Sequence, residues 1–363
     1  MNHPLISVVM SVFNGEKYLM DSVNSILNQK DVSIELIIIN DGSTDNTVSI
    51  LKNLSEKDDR IKIVNKHKEG LPFALNIGLE NAKGKYIARM DADDIAEVNR
   101  LKLQVDFLEN SKNIDILGTY VTAFGDGRER IWKVPISKDE CNVALLFINP
   151  LAHPAVMFRK SVVENIGYYD TTFDYDQDYE YWARASFSHG IANLPFSLLK
   201  YRIHEKQMGS IFSKSERIDS QQRTQLLLLK KMGVYPNDEE IQLHLILANA
   251  YRLEFEVTID LETLRNVRFY IIKLIAANSN SKRYNENILA ERCMIQYSAL
   301  CLYSANLGIA VYQEFKITTR MICFKKRNIL LLASCIFKFS RKEHLFIYNN
   351  LNRLKSVARN IYV

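Results

Sequence analysis

Three carboxylates crowd into four residues at Asp91-Ala92-Asp93-Asp94, directly after Lys85–Met90, a segment of strand length and composition. Like charges this close repel and cost stability unless a cation lies between them. A divalent metal that also holds a phosphorylated ligand meets that demand, because hard cations take carboxylate oxygens and share phosphate oxygens. The competing reading is an acidic, solvated turn that caps the next helix. A calcium-binding EF-hand loop is a poor fit, because the fifth and sixth positions counted from Asp91 are Ile95 and Ala96, where that loop needs a ligand and a glycine. A second polar pair, Asn40-Asp41, follows the apolar run Ile34–Ile39.

The elements that must position these groups read as alternating strands and helices. Leu5–Val12 and Ile34–Ile39 are apolar runs of strand length, the second continuous enough for a strand buried on both faces. Glu16–Asn28 carries Leu19, Val23, Ile26 and Leu27 at helical spacing. A helix with Val48, Leu51 and Leu54 is expected after Ser43-Thr44-Asp45, with Ser43 or Thr44 as N-cap. Ile61–Val64 is a third strand, Leu71–Ala82 a helix with Pro72 in its first turn, and Lys85–Met90 a fourth strand. Such alternation implies a parallel sheet with right-handed crossovers, whose ligands bind at the carboxyl ends of the strands. Asn40-Asp41 and Asp91-Ala92-Asp93 fall at those ends and are expected to share one crevice. Shorter strands follow at Ile116–Val121, Ala155–Phe158 and Leu198–Tyr201, with a helix near Asp178–Ser188. Beyond Ser215 helical periodicity dominates, so the chain divides into residues 1–214 and a mainly helical 215–363.

The segments Ser7–Glu16, Leu36–Asp45, Gly70–Gly78, Ala82–Ile87 and Asp91–Asp94, then Arg100-Leu101 to Gln104, His153–Arg159, Gly167–Asp170, Gln177–Trp182 and Tyr201–His204 stand in a characteristic order and spacing. Together they resemble family 2 glycosyltransferases of the GT-A fold, over about Ile6 to His204. The resemblance implies a Rossmann-like, mostly parallel sheet flanked by helices. It also implies a nucleotide-diphospho-sugar donor, UDP-sugar in the first place, and inverting transfer to an acceptor hydroxyl. It puts Ser11, Phe13, Glu16, Asp41, Arg89 and Asp91 around the nucleotide. Phe13 would stack on the base; relatives often carry Pro-x-Tyr-Asn where this chain has Ser11-Val12-Phe13-Asn14. Phe13 in the core is the alternative. Asp41 would accept from the base or ribose, or simply make a turn before Gly42. Glu16 would meet the ribose or charge a helix N-terminus; Asp45 reads better as a first-turn acid. Asp93 would ligate Mn²⁺ or Mg²⁺ in the manner of a DxD motif, with Asp91 facing the ribose or a metal-bound water and Asp94 belonging to the turn. His204 would reach the metal or the diphosphate. Arg89 either adds charge at the nucleotide or is a surface strand residue. Asp178 would be the catalytic base, here after Gln177 where relatives carry Glu. His153 and Trp182 would line the acceptor side, Trp182 as a sugar platform or as core.

Composition is that of an ordinary globular protein, 47% hydrophobic and 25% charged, and 363 residues suffice for a large core. Five cysteines without CxxC or zinc spacing read as reduced thiols. No signal peptide and no stretch of about 18 apolar residues is seen, so a cytoplasmic protein is expected. The net charge of +5 is uneven: residues 321–363 carry nine basic residues and one acid. This tail, with the apolar run Asn328–Phe337 between basic flanks, suggests peripheral attachment to the inner face of a cytoplasmic membrane, a buried helix, or a homodimer contact. The acceptor implied is a glycan on a polyprenyl diphosphate, as in O-antigen or capsule assembly, and nucleic acid is not expected as a partner. Two rivals are a sugar-nucleotide nucleotidyltransferase and a non-enzymatic membrane- or nucleic-acid-binding module. The first lacks a basic, glycine-rich loop at Asn14-Gly15-Glu16-Lys17, and the second leaves the acidic clusters unexplained.

Overall fold

The computed structural model describes residues 4–205, 207, 212–251, 259–322 and 335. The chain forms two compact units, Met1–Leu227 and Leu228–Val363.

The first unit is built on nine strands: β1 Ile6–Val12, β2 Ile34–Asp41, β3 Ile61–Lys66, β4 Tyr86–Asp91, β5 Ile95–Ala96, β6 Ile116–Phe124, β7 Arg130–Trp132, β8 Met157–Arg159 and β9 Ile191–Arg202. They make one sheet in the order β3-β2-β1-β4-β8-β6-β9-β5, with β7 on β6. The β3-β2-β1-β4 half is parallel. Its order reverses direction at β1 and β4, where open sheets of this kind leave a crevice outside the strand ends. Register fixes what faces that crevice: Ser11 pairs with Ile39 and with Asp91, and Val12 pairs with Asn40. β8 runs antiparallel between β4 and β6, and β6 runs parallel to β9. β9 is far longer than the expected Leu198–Tyr201, because it already pairs from Ile191, through the buried Ile191–Leu194, and it ends one residue later at Arg202.

β2 is buried along its whole length, as its continuous apolar run predicts. The one charge inside that run, Glu35, is tied at the opposite end of the sheet from the crevice. Ser7 Oγ donates to it at 2.5 Å, the Lys83 amide at 2.8 Å, and Lys62 pairs with it. Gly84 approaches so closely that a Cβ there would lie 2.5 Å from the Ser7 nitrogen and 2.8 Å from the Ile6 carbonyl carbon.

Helices α1 Leu19–Leu27, α2 Thr47–Ser55, α3 Leu71–Asn81, α4 Arg100–Asn110, α5 Lys138–Leu145, α6 Lys160–Ile166 and α7 Gln177–Ala185 cover the sheet. Two starts differ from expectation. α1 begins at Leu19 rather than Glu16, because Asn14 is left-handed (φ 52°) and the Gly15 carbonyl accepts the Tyr18 and Leu19 amides. α2 begins at Thr47 with Asn46 at its N-cap, and Ser43 does not cap it: its hydroxyl accepts the Asn14 amide at 2.9 Å. The expected strand Ala155–Phe158 is split into a 3₁₀ turn, His153–Ala155, and β8. Helix α8, Lys214–Lys231, starts where helical periodicity takes over and spans the unit boundary.

Described elements of the second unit are α9 Asp238–Ala248, α10 Leu261–Ser281, α11 Glu286–Tyr303 and α12 Ile309–Met321. In it the buried Glu314 pairs with the buried Arg268 and with the exposed Arg265. No helix among the described residues is long and apolar enough to cross a membrane. The basic tail and the run Asn328–Phe337, apart from Met321, Ile322 and Cys335, lie outside the described residues.

The Gly84 contact yields an expected cost. Gly84→Ala forces a Cβ onto backbone atoms and should destabilise the first unit by about 1–3 kcal/mol, as read from urea unfolding, without altering the crevice.

Candidate active site

Asp91 ends β4, Asp93 and Asp94 lie in the turn to β5, and one carboxylate oxygen from each lies within 4.8 Å of the others. Asp94 lies in the turn, as expected, but is buried there. It is 1% exposed, and its Oδ1 accepts the Arg202 amide at 2.8 Å. Its Oδ2 is buried with no hydrogen-bond partner among the described residues. Burial, then the charges of Asp91 and Asp93, push the Asp94 carboxyl well above the usual range. Burial also raises Asp91, against the pull of Arg89. The end of β9 wraps this cluster: Arg202 Nε donates to the Asp93 carbonyl at 2.7 Å, and His204 Nε2 lies 2.8 Å from Asp93 Oδ2. The Arg202 guanidinium in turn stacks on Tyr18 and Phe124.

Arg89 is not a surface residue. It is buried, on the same strand face as Asp91 two residues on, and forms an ion pair with it. Its charge also reaches His153, Tyr169 and Asp178. Beneath it, Arg100 is fully buried, and burial lowers its pKa to about 9. Arg100 Nη2 donates to the Arg89 carbonyl at 2.7 Å and Nε to Gln104 Oε1 at 3.2 Å. Gln104 then donates to the carbonyls of Leu117 and Ala155, sewing β4, β6 and the 3₁₀ turn together.

Asp178 stands in the first turn of α7, two residues after Asp176, whose φ of 58° turns the chain into the helix. Asn149 Nδ2 donates to Oδ2 at 2.8 Å and the Tyr179 amide to Oδ1 at 2.9 Å. These bonds and Arg89 favour the charged form, yet burial outweighs them and raises the pKa to about 6. Asn149 was not singled out in the sequence; nothing in its local pattern marks it, since it meets Asp178 only through the fold. His153 is held neutral, mainly by burial and then by Arg89, and its Nε2 lies 3.1 Å from the Tyr169 hydroxyl. Asn76 fixes that tyrosine's backbone with two hydrogen bonds. Trp182 is 0% exposed and packs edge-on against His153, Phe158 and Tyr181, so it is core and cannot be a sugar platform.

On the other side of the crevice Phe13 is 42% exposed, with Lys68 Nζ 3.9 Å from its ring centre, and is not a core residue. Asp41 is buried and engaged: Lys66 Nζ, the Glu69 amide and the Gly70 amide all donate to it at 2.8–3.0 Å. Glu16 accepts from the amide and side chain of Asn46, so its charge lies at the start of α2 and not of α1. Asp45 accepts the Glu16 amide, and Gly15 N donates to Thr47 Oγ1. Loops 14–16 and 43–47 are thereby laced together.

The family profile for "Glycosyl transferase family 2" matches residues 7–167. An uncharacterized glycosyltransferase of Haemophilus influenzae is 38% identical over 228 residues, which is 58% of this chain and 69% of that protein. The chain belongs to glycosyltransferase family 2. An O-antigen biosynthesis glycosyltransferase of Escherichia coli, WbnJ, is 36% identical over 56% of this chain and 81% of its own length. The amylovoran biosynthesis glycosyltransferase AmsE of Erwinia amylovora is 32% identical over 58% and 83%. Among solved structures, S. aureus TarS 1-349 in complex with UDP-GlcNAc superposes with a TM-score of 0.55 at 17% identity, covering 91% of this chain and 90% of that one. A longer TarS chain is covered over 55% of its length. The fold is thus of the GT-A kind with a helical C-terminal region, and the protein is a sugar transferase. The nucleotidyltransferase and non-enzymatic readings give way to that membership.

Asp178 also carries a stability signature. Its raised pKa means that the neutral form is favoured on folding. That contribution is complete below about pH 4 and is lost as pH rises through about 6. The stability of Asp178→Asn relative to wild type should therefore grow by about 2 kcal/mol between pH 4 and pH 7.5, measured by urea unfolding at each pH.

Proposed function

We propose that this glycosyltransferase moves a sugar, with inversion, from a UDP-sugar to a hydroxyl of a glycan carried on a polyprenyl diphosphate, and that it requires Mn²⁺ or Mg²⁺. One observation carries this reading: a crevice at the carboxyl edge of the sheet holds an acidic trio whose oxygens lie within 4.8 Å of one another and, across Arg89, a carboxylate with a pKa of about 6. The trio fits a hard cation. Its donors are oxygens, and Asp94 Oδ2 is buried without a partner. Asp93 and Asp94, with Asp91 and His204 beside them, are the residues that would hold the ion. A bound divalent ion supplies Lewis-acid charge to a leaving diphosphate.

The chain's own residues do the rest. Phe13 offers an exposed aromatic face for the base, beside the loops laced by Glu16, and Ser11 neighbours Asp91 in the sheet register. Asp41 holds the 66–70 segment in place around that face. Asp178 takes the proton of the acceptor hydroxyl as its oxygen bonds to the anomeric carbon and the bond to the diphosphate breaks. A base with a pKa near the working pH is in its receptive form and still strong enough to pull. Asn149 fixes the carboxylate's orientation, and His153 with Tyr169 borders the same region. The polysaccharide roles printed for WbnJ and AmsE favour a growing glycan as acceptor. Attachment to an anionic leaflet through residues 321–363 rests on their charge.

Two variants test the reading. Asp93→Ala should remove the Mn²⁺-dependent part of UDP affinity in calorimetry. Unchanged Mn²⁺-dependent affinity would sink the metal role. Asp178→Asn should keep UDP affinity while kcat falls about 10²–10⁴-fold. Wild-type kcat should climb through about pH 6 to a plateau; a flat profile, or near-normal turnover in the variant, rejects Asp178 as the base.

A further inference from the structure

The chain has two tryptophans. Trp182 is sealed in the core, whereas Trp132 is 43% exposed. Trp132 ends β7, and it pairs with Val121 of β6, which pairs with Leu199 of β9. Tyr201 lies two residues beyond Leu199, on the same face of the sheet. The Trp132 and Tyr201 rings meet there, centroids 5.1 Å apart and planes at 42°. Tyr201 in turn stands next in the chain to a residue that binds the acidic trio. Its neighbour Arg202 gives its amide to Asp94, and the Tyr201 phenol is raised by burial and then by Asp91, Asp94 and Asp93. Tyr175, from the segment that leads into Asp178, acts on the same phenol. Trp132 is therefore an open indole backed by a ring that feels the charge of the trio and of Tyr175.

We propose that Trp132, backed by Tyr201, is the platform on which a pyranose ring of the acceptor stacks. This rests on the transferase reading of the crevice. A pyranose presents a flat patch of C–H groups on one face and hydroxyls around its edge. An aromatic face collects the former, and the polar walls of a cleft select among the latter. The indole is suited to this because it is wide, held at one edge by Tyr201, and open on the other side. The residue for that role is thus on the β7 edge rather than on α7, where Trp182 is closed off.

The two-tryptophan composition makes the test direct, since Trp182 emission serves as an internal reference. The full chain, with Mn²⁺ and UDP present, is titrated with octyl glycosides of glucose, galactose, mannose and N-acetylglucosamine while acrylamide quenching of tryptophan fluorescence is followed. At least one glycoside should shield the wild-type protein. Trp132→Ala, an exposed position that leaves no cavity, should lose the shielding and bind that glycoside about tenfold more weakly by calorimetry, while Trp132→Phe stays within about threefold. Absence of shielding by every glycoside, or equal affinity in Trp132→Ala, overturns the platform. Shielding that follows protein concentration instead of glycoside assigns this face to self-association and also overturns it. UDP affinity is measured alongside: if it is intact in both variants the donor reading stands whatever the platform does, and if wild type binds no UDP the donor reading fails on its own.

Discussion

A buried guanidinium organises this crevice. Arg89 lies on the floor between Asp91, which it pairs directly, and Asp178, whose charge it favours from a distance. Burying a cation of that size is costly, and the cost is met only because acidic groups converge on it. The arrangement works in both directions. Arg89 keeps Asp91 from being pushed as far upward as burial alone would take it, and it drives His153 further into its neutral form. Arg100 carries a second positive charge beneath, in a setting so dry that its own proton is loosened. Two guanidiniums and three carboxylates thus stand close together, so a ligand charge that enters the crevice acts on all of them.

The half of the fold that alternates strand and helix was legible because its signals are local. The apolar run Ile6–Val12 has the length of a strand, the near-continuous run Ile34–Ile39 demands burial on both faces, and helical spacing at Leu19, Val23 and Ile26 gives a single packed stripe. The carboxyl-edge position of Asp41 and Asp91 followed from that alternation. Boundaries were less readable where polar side chains bind across the chain. Ser43 and Thr44 look like caps in isolation, and only the partnership with Asn14, some thirty residues earlier, moves the start of α2 to Thr47. Trp182 misled for a similar reason: an aromatic after the base suggests a sugar site, but its direction depends on how α7 packs on β8. Asp94 was discounted as a turn residue because sequence spacing does not show that Arg202, more than a hundred residues later, would close over it.

The second unit was legible only as helical. Its capping boxes and N-caps, such as Asn237 with Glu240 and Asp260 with Thr263, follow ordinary local rules.

The lacing of residues 14–16 to residues 43–47 has a consequence for how such an enzyme can change. Asn14, Gly15 and Glu16 each give or take hydrogen bonds with Ser43, Thr44, Asp45, Asn46 or Thr47, so neither loop has a resting shape of its own. A substitution in one loop is transmitted to the other and to Phe13 at its tip. The two loops are therefore inherited as a pair: grafting one alone from a relative brings a surface with the wrong partners. Drift in this corner of the protein is expected to proceed by coordinated replacements, not single steps.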